Sequence, residues 1–152
     1  MINPGNNGNH LIWPVALAAA LAAGPIAAPA TAQQITVYET PTCSCCVGWD
    51  RHLRSNGFNV TASVMSDVSP IKDKYRVPLS LRSCHTAVIG NYVIEGHVPA
   101  ETIKRLLRER PQSAGLAVPG MPRSAPGMDM PGEPYNVMLF SSSGQSKVYE
   151  RR

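Results

Sequence analysis

The sequence of 152 residues predicts an α/β domain, and three observations lead to that fold class. Short runs of β-branched and aromatic residues recur along the chain, as they do in strands. Segments with helix start and stop signals lie between these runs. Three cysteines crowd into residues 43–46, at the first junction between a predicted strand and a predicted helix. The length suits one domain with a modest core.

The predicted elements follow the order β-α-β-α-β-β-α, which is the order of a thioredoxin-like domain. Their ranges are a strand at 35–39, a helix from 43 or 44 to 55, a strand at 59–65, a short helix at 71–75, strands at 86–90 and 92–95, and a helix at 99–110. In a thioredoxin-like domain the functional motif lies between the first strand and the first helix. The cysteine cluster occupies that position.

Local signals support the first three elements. Residues 35–39 alternate β-branched side chains with others, as a strand does. Pro41 breaks that strand and opens the first helix. Asn56-Gly57 ends the helix because both residues tolerate a left-handed backbone, and Phe58 can then pack back onto it. Residues 59–65 are again rich in β-branched side chains and predict the second strand.

The later elements have equally local signals. Ser69-Pro70 begins the short polar helix. Gly90-Asn91 supplies a tight turn between the two strands that flank it. Pro99 suits the first position of the last helix, because its missing N–H group would have no partner there.

The composition changes abruptly at residues 111–134, which contain six prolines and four glycines. Such a segment predicts no regular structure and is either a flexible linker or a loop that folds back over a site. A loop of this length between ordered elements is more often functional, so we favour the second interpretation. The loop carries Met121, Met128 and Met130. A β-hairpin is predicted at 135–149.

Residues 1–32 predict a signal peptide. They contain no Lys, Arg, Asp or Glu, and Ala30-Thr31-Ala32 forms a cleavage box. The uninterrupted apolar stretch at 15–23 is shorter than the ~20 residues that span a bilayer. We therefore expect cleavage to leave residues 33–152 as a soluble periplasmic domain with no transmembrane segment. An uncleaved N-terminal anchor is the alternative.

The charge balance bears on possible partners. The chain has 14 basic and 10 acidic residues, a net charge of +4, and no cluster of Lys and Arg. This pattern argues against a nucleic-acid-binding protein.

Three explanations compete for the four cysteines. Cys43 and Cys46 have C-x-x-C spacing, Cys45 lies between them, and Cys84 is followed by His85. A structural disulfide is the simplest explanation. Thiol–disulfide exchange is the second, with Cys43 as the attacking thiolate and Cys46 as its resolving partner. The third is binding of a soft metal ion.

The methionines favour the metal. Thiolates suit both zinc and copper(I), whereas thioethers favour copper(I). Three thiolates within four helical residues poorly surround one tetrahedral ion, so we expect them to bridge several ions in a small cluster. Copper(I) is the expected ion, copper(II) is a second state to consider, and zinc is less favoured.

Histidines elsewhere in the chain are further candidate ligands. His97 precedes a predicted helix start and can turn toward the cluster. For His85, a ligand and a structural hydrogen-bonding group are equally supported, because neighbouring strand residues point to opposite faces. His52 is expected at the surface. Trp49 shares the helix face of Cys46 and is expected to shield the cluster from water.

Four ordered motifs resemble the CopG-like periplasmic copper-resistance proteins, a family long described as a domain of unknown function. These are PTCSCCVGW at 41–49, SCHT at 83–86, EGHVP at 95–99 and GLAVPGMP at 115–122. The resemblance implies a thioredoxin-like fold and a cysteine-bridged multinuclear copper site. Its thiolates would be Cys43, Cys45, Cys46 and Cys84, with His97, Met121 and Met128 completing the site.

These observations predict an exported copper-binding protein that sequesters copper or cycles its oxidation state. Two alternatives stay open at this point. One is an envelope thiol–disulfide oxidoreductase that uses Cys43 and Cys46. The other is a copper chaperone that docks to a further copper-handling protein of the envelope. Whether the chain is a copper oxidoreductase is likewise open.

Overall fold

A computed structural model of the protein describes Met1, Gly5 and residues 32–152. Residues 32–152 belong to one compact unit. The predicted signal peptide, residues 1–32, lies outside the described residues apart from Met1, Gly5 and Ala32. None of the helices in the described part of the chain has the length and hydropathy of a membrane-spanning segment.

Within residues 32–152 the chain forms seven strands, three α-helices and one 3₁₀ turn. In order these are β1 (Gln34–Glu39), α1 (Ser44–Ser55), β2 (Asn59–Val64), α2 (Ser69–Lys74), the 3₁₀ turn (Leu79–Leu81), β3 (Thr86–Ile89), β4 (Tyr92–Glu95), α3 (Ala100–Glu109), β5 (Gly115–Ala117), β6 (Asn136–Phe140) and β7 (Ser146–Arg151). All predicted elements are present, with ends shifted by one or two residues.

The strands form a single sheet in the order β2-β1-β3-β4-β5-β6-β7. The pairs β1–β2 and β4–β5 are parallel, and the other neighbours are antiparallel. The predicted hairpin is present as β6 and β7, and its second strand extends to Arg151. The mixed α/β class is therefore confirmed.

One expectation about residues 111–134 was wrong, because Gly115–Ala117 forms β5 in the middle of the sheet. The strand depends on its neighbours rather than on local propensity. A Cβ atom at Gly115 would lie 1.8 Å from the carbonyl oxygen of Val93 on β4, so only glycine fits there. The Gly and Pro content hid a strand that tertiary pairing selects.

Helix α1 ends as the sequence predicts. Gly57 has a φ of +86°, and its N–H donates to the carbonyl oxygen of Arg54 at 3.0 Å. The N–H of Phe58 donates to the carbonyl oxygen of Leu53 at 3.2 Å. These two bonds make a Schellman motif, and the buried Phe58 ring joins the core.

The main core lies where α1 and α3 meet the sheet. It includes Trp49 and Leu53 from α1, Ile103 and Leu106 from α3, and Ile35, Val37, Ile94 and Leu116 from the strands. This packing fixes the N-terminus of α1, and with it the cysteine cluster, against the sheet.

Candidate metal centre

The four cysteines converge although they come from two distant segments. Cys43 caps the N-terminus of α1, Cys45 and Cys46 lie in its first turn, and Cys84 lies in the loop before β3. Their four Sγ atoms all lie within 4.8 Å of one another. Because α1 begins where β1 ends and β3 pairs with β1, the sheet itself brings the two segments together.

Two of the four sulfurs are joined. Cys43 and Cys46 form a disulfide, and Cys45 and Cys84 are free thiols. Each free sulfur lies beside a different disulfide sulfur: Cys45 Sγ is 3.5 Å from Cys43 Sγ, and Cys84 Sγ is 3.8 Å from Cys46 Sγ. Reduction of one disulfide would therefore make four thiols available in one place.

Cys84 also belongs to a second group of donors. Its Sγ lies 3.2 Å from His97 Nε2 and 3.3 Å from His85 Nδ1. The three donor atoms of this group lie within 4.8 Å of one another. Cys84 is thus the one sulfur shared by a thiol group and an imidazole group.

The hydrogen bonds of His97 orient its free nitrogen toward Cys84. His97 Nδ1 lies 2.7 Å from the carbonyl oxygen of Pro126, which can only accept, so Nδ1 carries the proton. The lone pair of Nε2 then faces Cys84. Burial lowers the pKa of His97 and favours the neutral ring. A neutral imidazole held through its other nitrogen is the usual form of a metal-binding histidine.

His85 also faces Cys84, contrary to the strand-alternation argument. Strand alternation does not apply to Cys84 and His85, because β3 begins only at Thr86. The His85 ring is fully buried, 4.4 Å from the Trp49 ring and 5.0 Å from the His97 ring, measured between centroids. Burial holds the pKa of His85 well below its usual range, and the neighbouring His97 and Lys72 lower it further.

Without a nearby cation, the thiol of Cys84 does not readily lose its proton. Burial, and then the charge of Cys45, raise the pKa of Cys84 to about 11. A bound cation would reverse this balance by stabilising the thiolate directly.

The loop after β5 folds over the cysteine cluster, as predicted. Gly127 packs so tightly on α1 that a Cβ atom on it would lie 2.5 Å from the backbone nitrogen of Trp49 and 3.0 Å from the carbonyl oxygen of Cys45. At the other end of the loop, Ser83 Oγ donates a hydrogen bond to the carbonyl oxygen of Gly120. Residues 120 and 127 thus contact the two cysteine segments.

The candidate methionines follow these two anchored glycines. Met121 follows Gly120, and about half of its surface is exposed. Met128 follows Gly127 and is half-buried. Met130 is also about half exposed. The loop backbone thus brings the residues that precede Met121 and Met128 into contact with the two cysteine segments.

Two side chains of α1 hold the segment that follows His97. Trp49 is fully buried, and its Nε1–H donates to the carbonyl oxygen of Val98 at 2.9 Å. His52 was expected at the surface, but its Nε2 accepts the Ala100 N–H at 3.0 Å. That N–H lies in the first turn of α3, where backbone donors lack helical partners, so the imidazole serves as a cap.

A buried ion pair next to Cys84 was missed in the sequence. Lys72 Nζ lies 2.6 Å from Glu95 Oε1 and 3.0 Å from Thr86 Oγ1. Only 5% of Lys72 is exposed, and Glu95 is fully buried. The available signal was a glutamate that closes an otherwise apolar strand, with no partner near it in the sequence.

This chain resembles one described protein family and solved structures of known proteins. Residues 81–128 match the family model described as "Protein of unknown function, DUF411". A solved structure of the copper resistance protein copG, form 1, is 44% identical, covers 80% of this chain and 98% of its own, and has a TM-score of 0.75. Form 2 is 43% identical with the same coverage and a TM-score of 0.76. No curated protein gives a significant match.

Proposed function

We propose that this chain, which belongs to the family of the CopG copper resistance proteins, binds copper ions as its contribution to copper resistance. Copper here is cargo or substrate. The observation that carries the proposal is the convergence of four cysteine sulfurs within 4.8 Å of one another. Such a concentration of soft donors matches copper(I) better than it matches hard cations.

The finer proposal is a multinuclear copper(I) cluster bridged by thiolates. Four sulfurs this close cannot each serve a separate ion, and bridging lets them share several. Cys84 extends the donor set toward two neutral imidazoles, one of which has its lone pair directed at the sulfur. The proposed ligands are Cys43, Cys45, Cys46, Cys84, His85, His97, Met121 and Met128.

The proposed location is the periplasm, after removal of residues 1–32. Two observations support it: the apolar, uncharged leader with its cleavage box, and the Cys43–Cys46 disulfide, which is typical of an oxidising compartment. The thioredoxin-like assignment is proposed on the same footing. It is supported by the strand order β2-β1-β3-β4, with β1 and β2 parallel.

The disulfide also favours a second candidate, an envelope thiol–disulfide oxidoreductase. Cys43 and Cys46 have the spacing of a redox dithiol, and Cys43 lies at a helix N-terminus, where a thiolate is stabilised. This function needs neither Cys84, the two imidazoles nor the loop methionines. The donors around Cys84 therefore favour copper.

Anaerobic titration of the reduced chain with copper(I), with metal counting, tests the proposal. We expect two or more tightly bound ions per wild-type chain and fewer in Cys84→Ser. Val47→Ala changes an exposed neighbour of Cys46 and should bind as many ions as the wild type. Zero or one tightly bound ion contradicts the cluster. The volume-conserving pair Met121→Leu and Met128→Leu should weaken copper binding. The second candidate predicts that these variants leave reduction of an insulin disulfide unchanged and that the wild type turns this substrate over.

A further inference from the structure

We propose that Glu95 is the positioning residue of the copper site: its carboxylate fixes the segment around Cys84, and thereby the sulfur that both donor groups share. This inference rests on the proposed function and assigns it a residue that binds no copper itself. Glu95 would act on the metal only through the geometry of Cys84.

The contacts of Glu95 bracket Cys84 on both sides. Oε1 accepts the backbone N–H of Ser83, the residue before Cys84, at 2.6 Å. Oε2 accepts the hydroxyl of Thr86, two residues after Cys84, at 2.7 Å. A single fully buried carboxylate thus holds both flanks of the Cys84-His85 dipeptide.

The backbone around these contacts joins the same two segments. Thr86 pairs with Glu95 in the β3–β4 register, and the Gly96 N–H donates to the carbonyl oxygen of His85 at 3.1 Å. Gly96 has a φ of +70°, and a Cβ atom on it would lie 2.7 Å from Ser83 Cβ. Gly96 and His97 directly follow Glu95, the last residue of β4. The contacts of Glu95 with Ser83 and Thr86, which we call the Glu95 clamp, therefore also set the distance between Cys84 and His97.

Lys72 explains why the clamp is a carboxylate. Three donors converge on Glu95: the Ser83 N–H, the Thr86 hydroxyl and Lys72 Nζ. A carboxylate accepts from all three, whereas an amide would direct an NH₂ group at one of them. The buried ammonium of Lys72 also compensates the buried negative charge, which would otherwise be costly.

The clamp extends to the loop that carries Met121. Ser83 donates its backbone N–H to Glu95 and its hydroxyl to the carbonyl oxygen of Gly120. Loss of the Glu95 acceptor would therefore loosen both the Cys84 sulfur and the anchor of the residue before Met121. The imidazole of His97, which is anchored to Pro126, would keep its own contact.

Two matched double variants test the proposal. Both remove the buried charges, so neither leaves an unpaired ion. In Lys72→Met with Glu95→Gln, the amide oxygen can still accept the Ser83 N–H, and its NH₂ can donate to Thr86. In Lys72→Met with Glu95→Leu, the side chain fills the space and accepts nothing. Thermal unfolding establishes that each variant is folded.

We expect the leucine variant to bind copper(I) at least about tenfold more weakly than the wild type, since loss of an outer-shell partner typically costs 10–100-fold. X-ray absorption should show fewer sulfur and nitrogen neighbours per copper. The glutamine variant should stay close to the wild type in both measurements. Wild-type binding by the leucine variant overturns the proposal. An equal loss in both variants also overturns it, because charge and not the acceptor would then matter.

A measurement without copper keeps the proposal testable if the leucine variant does not fold. In the reduced wild-type chain, the Ser83 amide should exchange slowly with solvent, because a buried carboxylate accepts it. Exchange at the rate of an exposed amide overturns the clamp. If the wild type binds no copper, the proposed function fails, whereas slow exchange would still support the clamp itself.

Discussion

Gly48→Ala directly perturbs the contact between the cysteine helix and the loop above it. Gly48 lies in α1 between Val47 and Trp49. A Cβ atom at this position would lie 2.7 Å from the carbonyl oxygen of Gly127 and 3.0 Å from its Cα. Both contacts are with backbone atoms, so no side chain can rotate away to make room.

The size of the effect follows from these distances. Ordinary van der Waals contact begins at 3.4 Å, so the Gly127 carbonyl must retreat by about 0.7 Å. Overpacking of this kind typically costs about 1–3 kcal/mol. Replacing glycine by alanine inside a helix returns about 0.5–1 kcal/mol. We therefore expect a net loss of about 1 kcal/mol in the free energy of unfolding.

The displaced loop should also affect copper. Met128 follows Gly127, so movement of the loop withdraws its thioether from the cluster if Met128 is a ligand. Gly48→Ala should then weaken copper(I) binding, and so should Met128→Leu. The two effects should not add in the double variant, because each removes the same contact. Val47→Ala is the matched control, since it places alanine at the neighbouring, exposed position of α1.

The assay combines urea unfolding of the reduced metal-free chain with a competition titration against a chromophoric copper(I) chelator. Full additivity of Gly48→Ala and Met128→Leu would refute the argument, because the loop would then not connect the two positions. Unchanged stability together with unchanged copper affinity would refute the steric estimate itself.

Three further predictions concern the buried polar groups and the α1 contacts. Burial lowers the pKa of His52 in the folded chain, whereas the unfolded chain protonates this ring near the ordinary pKa of ~6.5. The stability that His52 contributes should therefore fall as the pH drops from 7.5 through 6.5 toward the lower folded pKa. His52→Gln, which keeps an acceptor for the Ala100 N–H, should lack this part of the decline in urea unfolding, and identical pH profiles would contradict the cap. Burial and the charge of Asp50 raise the pKa of Glu39, whose Oε2 is buried without a hydrogen-bond partner. Glu39→Gln should therefore raise the free energy of unfolding at pH 7 by about 1 kcal/mol. The wild type should recover that difference as the pH falls toward 4.5, where its own carboxyl group becomes protonated. A variant that is less stable than the wild type at pH 7 would exclude this reasoning. Trp49→Phe leaves the carbonyl oxygen of Val98 without its donor, so the free energy of unfolding should fall by about 2 kcal/mol or more in thermal unfolding. A loss below about 0.5 kcal/mol would mean that a water molecule replaces the indole N–H as the donor.

Features with local causes could be predicted from the sequence. The end of α1 depends on Asn56, Gly57 and Phe58, which are adjacent in the chain, and it forms as expected. The cysteines of residues 43–46 lie at a helix N-terminus because Pro41 and the preceding strand fix where the helix begins. The loop over the site could also be predicted, because a long segment rich in Pro and Gly between ordered elements is more often functional than a flexible linker.

Features that depend on distant partners could not be predicted. Glu95 and Lys72 are separated by 23 residues and meet only after α2 packs on the sheet. His52 becomes a cap only because α3 begins beside it, 48 residues later. By local propensity Gly115 disfavours a strand, and its place in β5 depends on its close approach to Val93 on β4. In each case one side chain or backbone group gains its role from a neighbour that sequence spacing does not reveal.

The described site therefore has two halves with different physical controls. Cys84, His85 and His97 are fixed by buried contacts to Glu95, Trp49 and Pro126, none of which involves a thiol. The sulfurs of α1 are controlled by oxidation, since the Cys43–Cys46 disulfide withholds two of the four donors. Reduction would raise the number of free sulfurs from two to four without any need to rearrange the Cys84 half. We therefore expect copper(I) binding by the proposed site to require prior reduction of the Cys43–Cys46 disulfide, which a titration of the oxidised and the reduced chain would check.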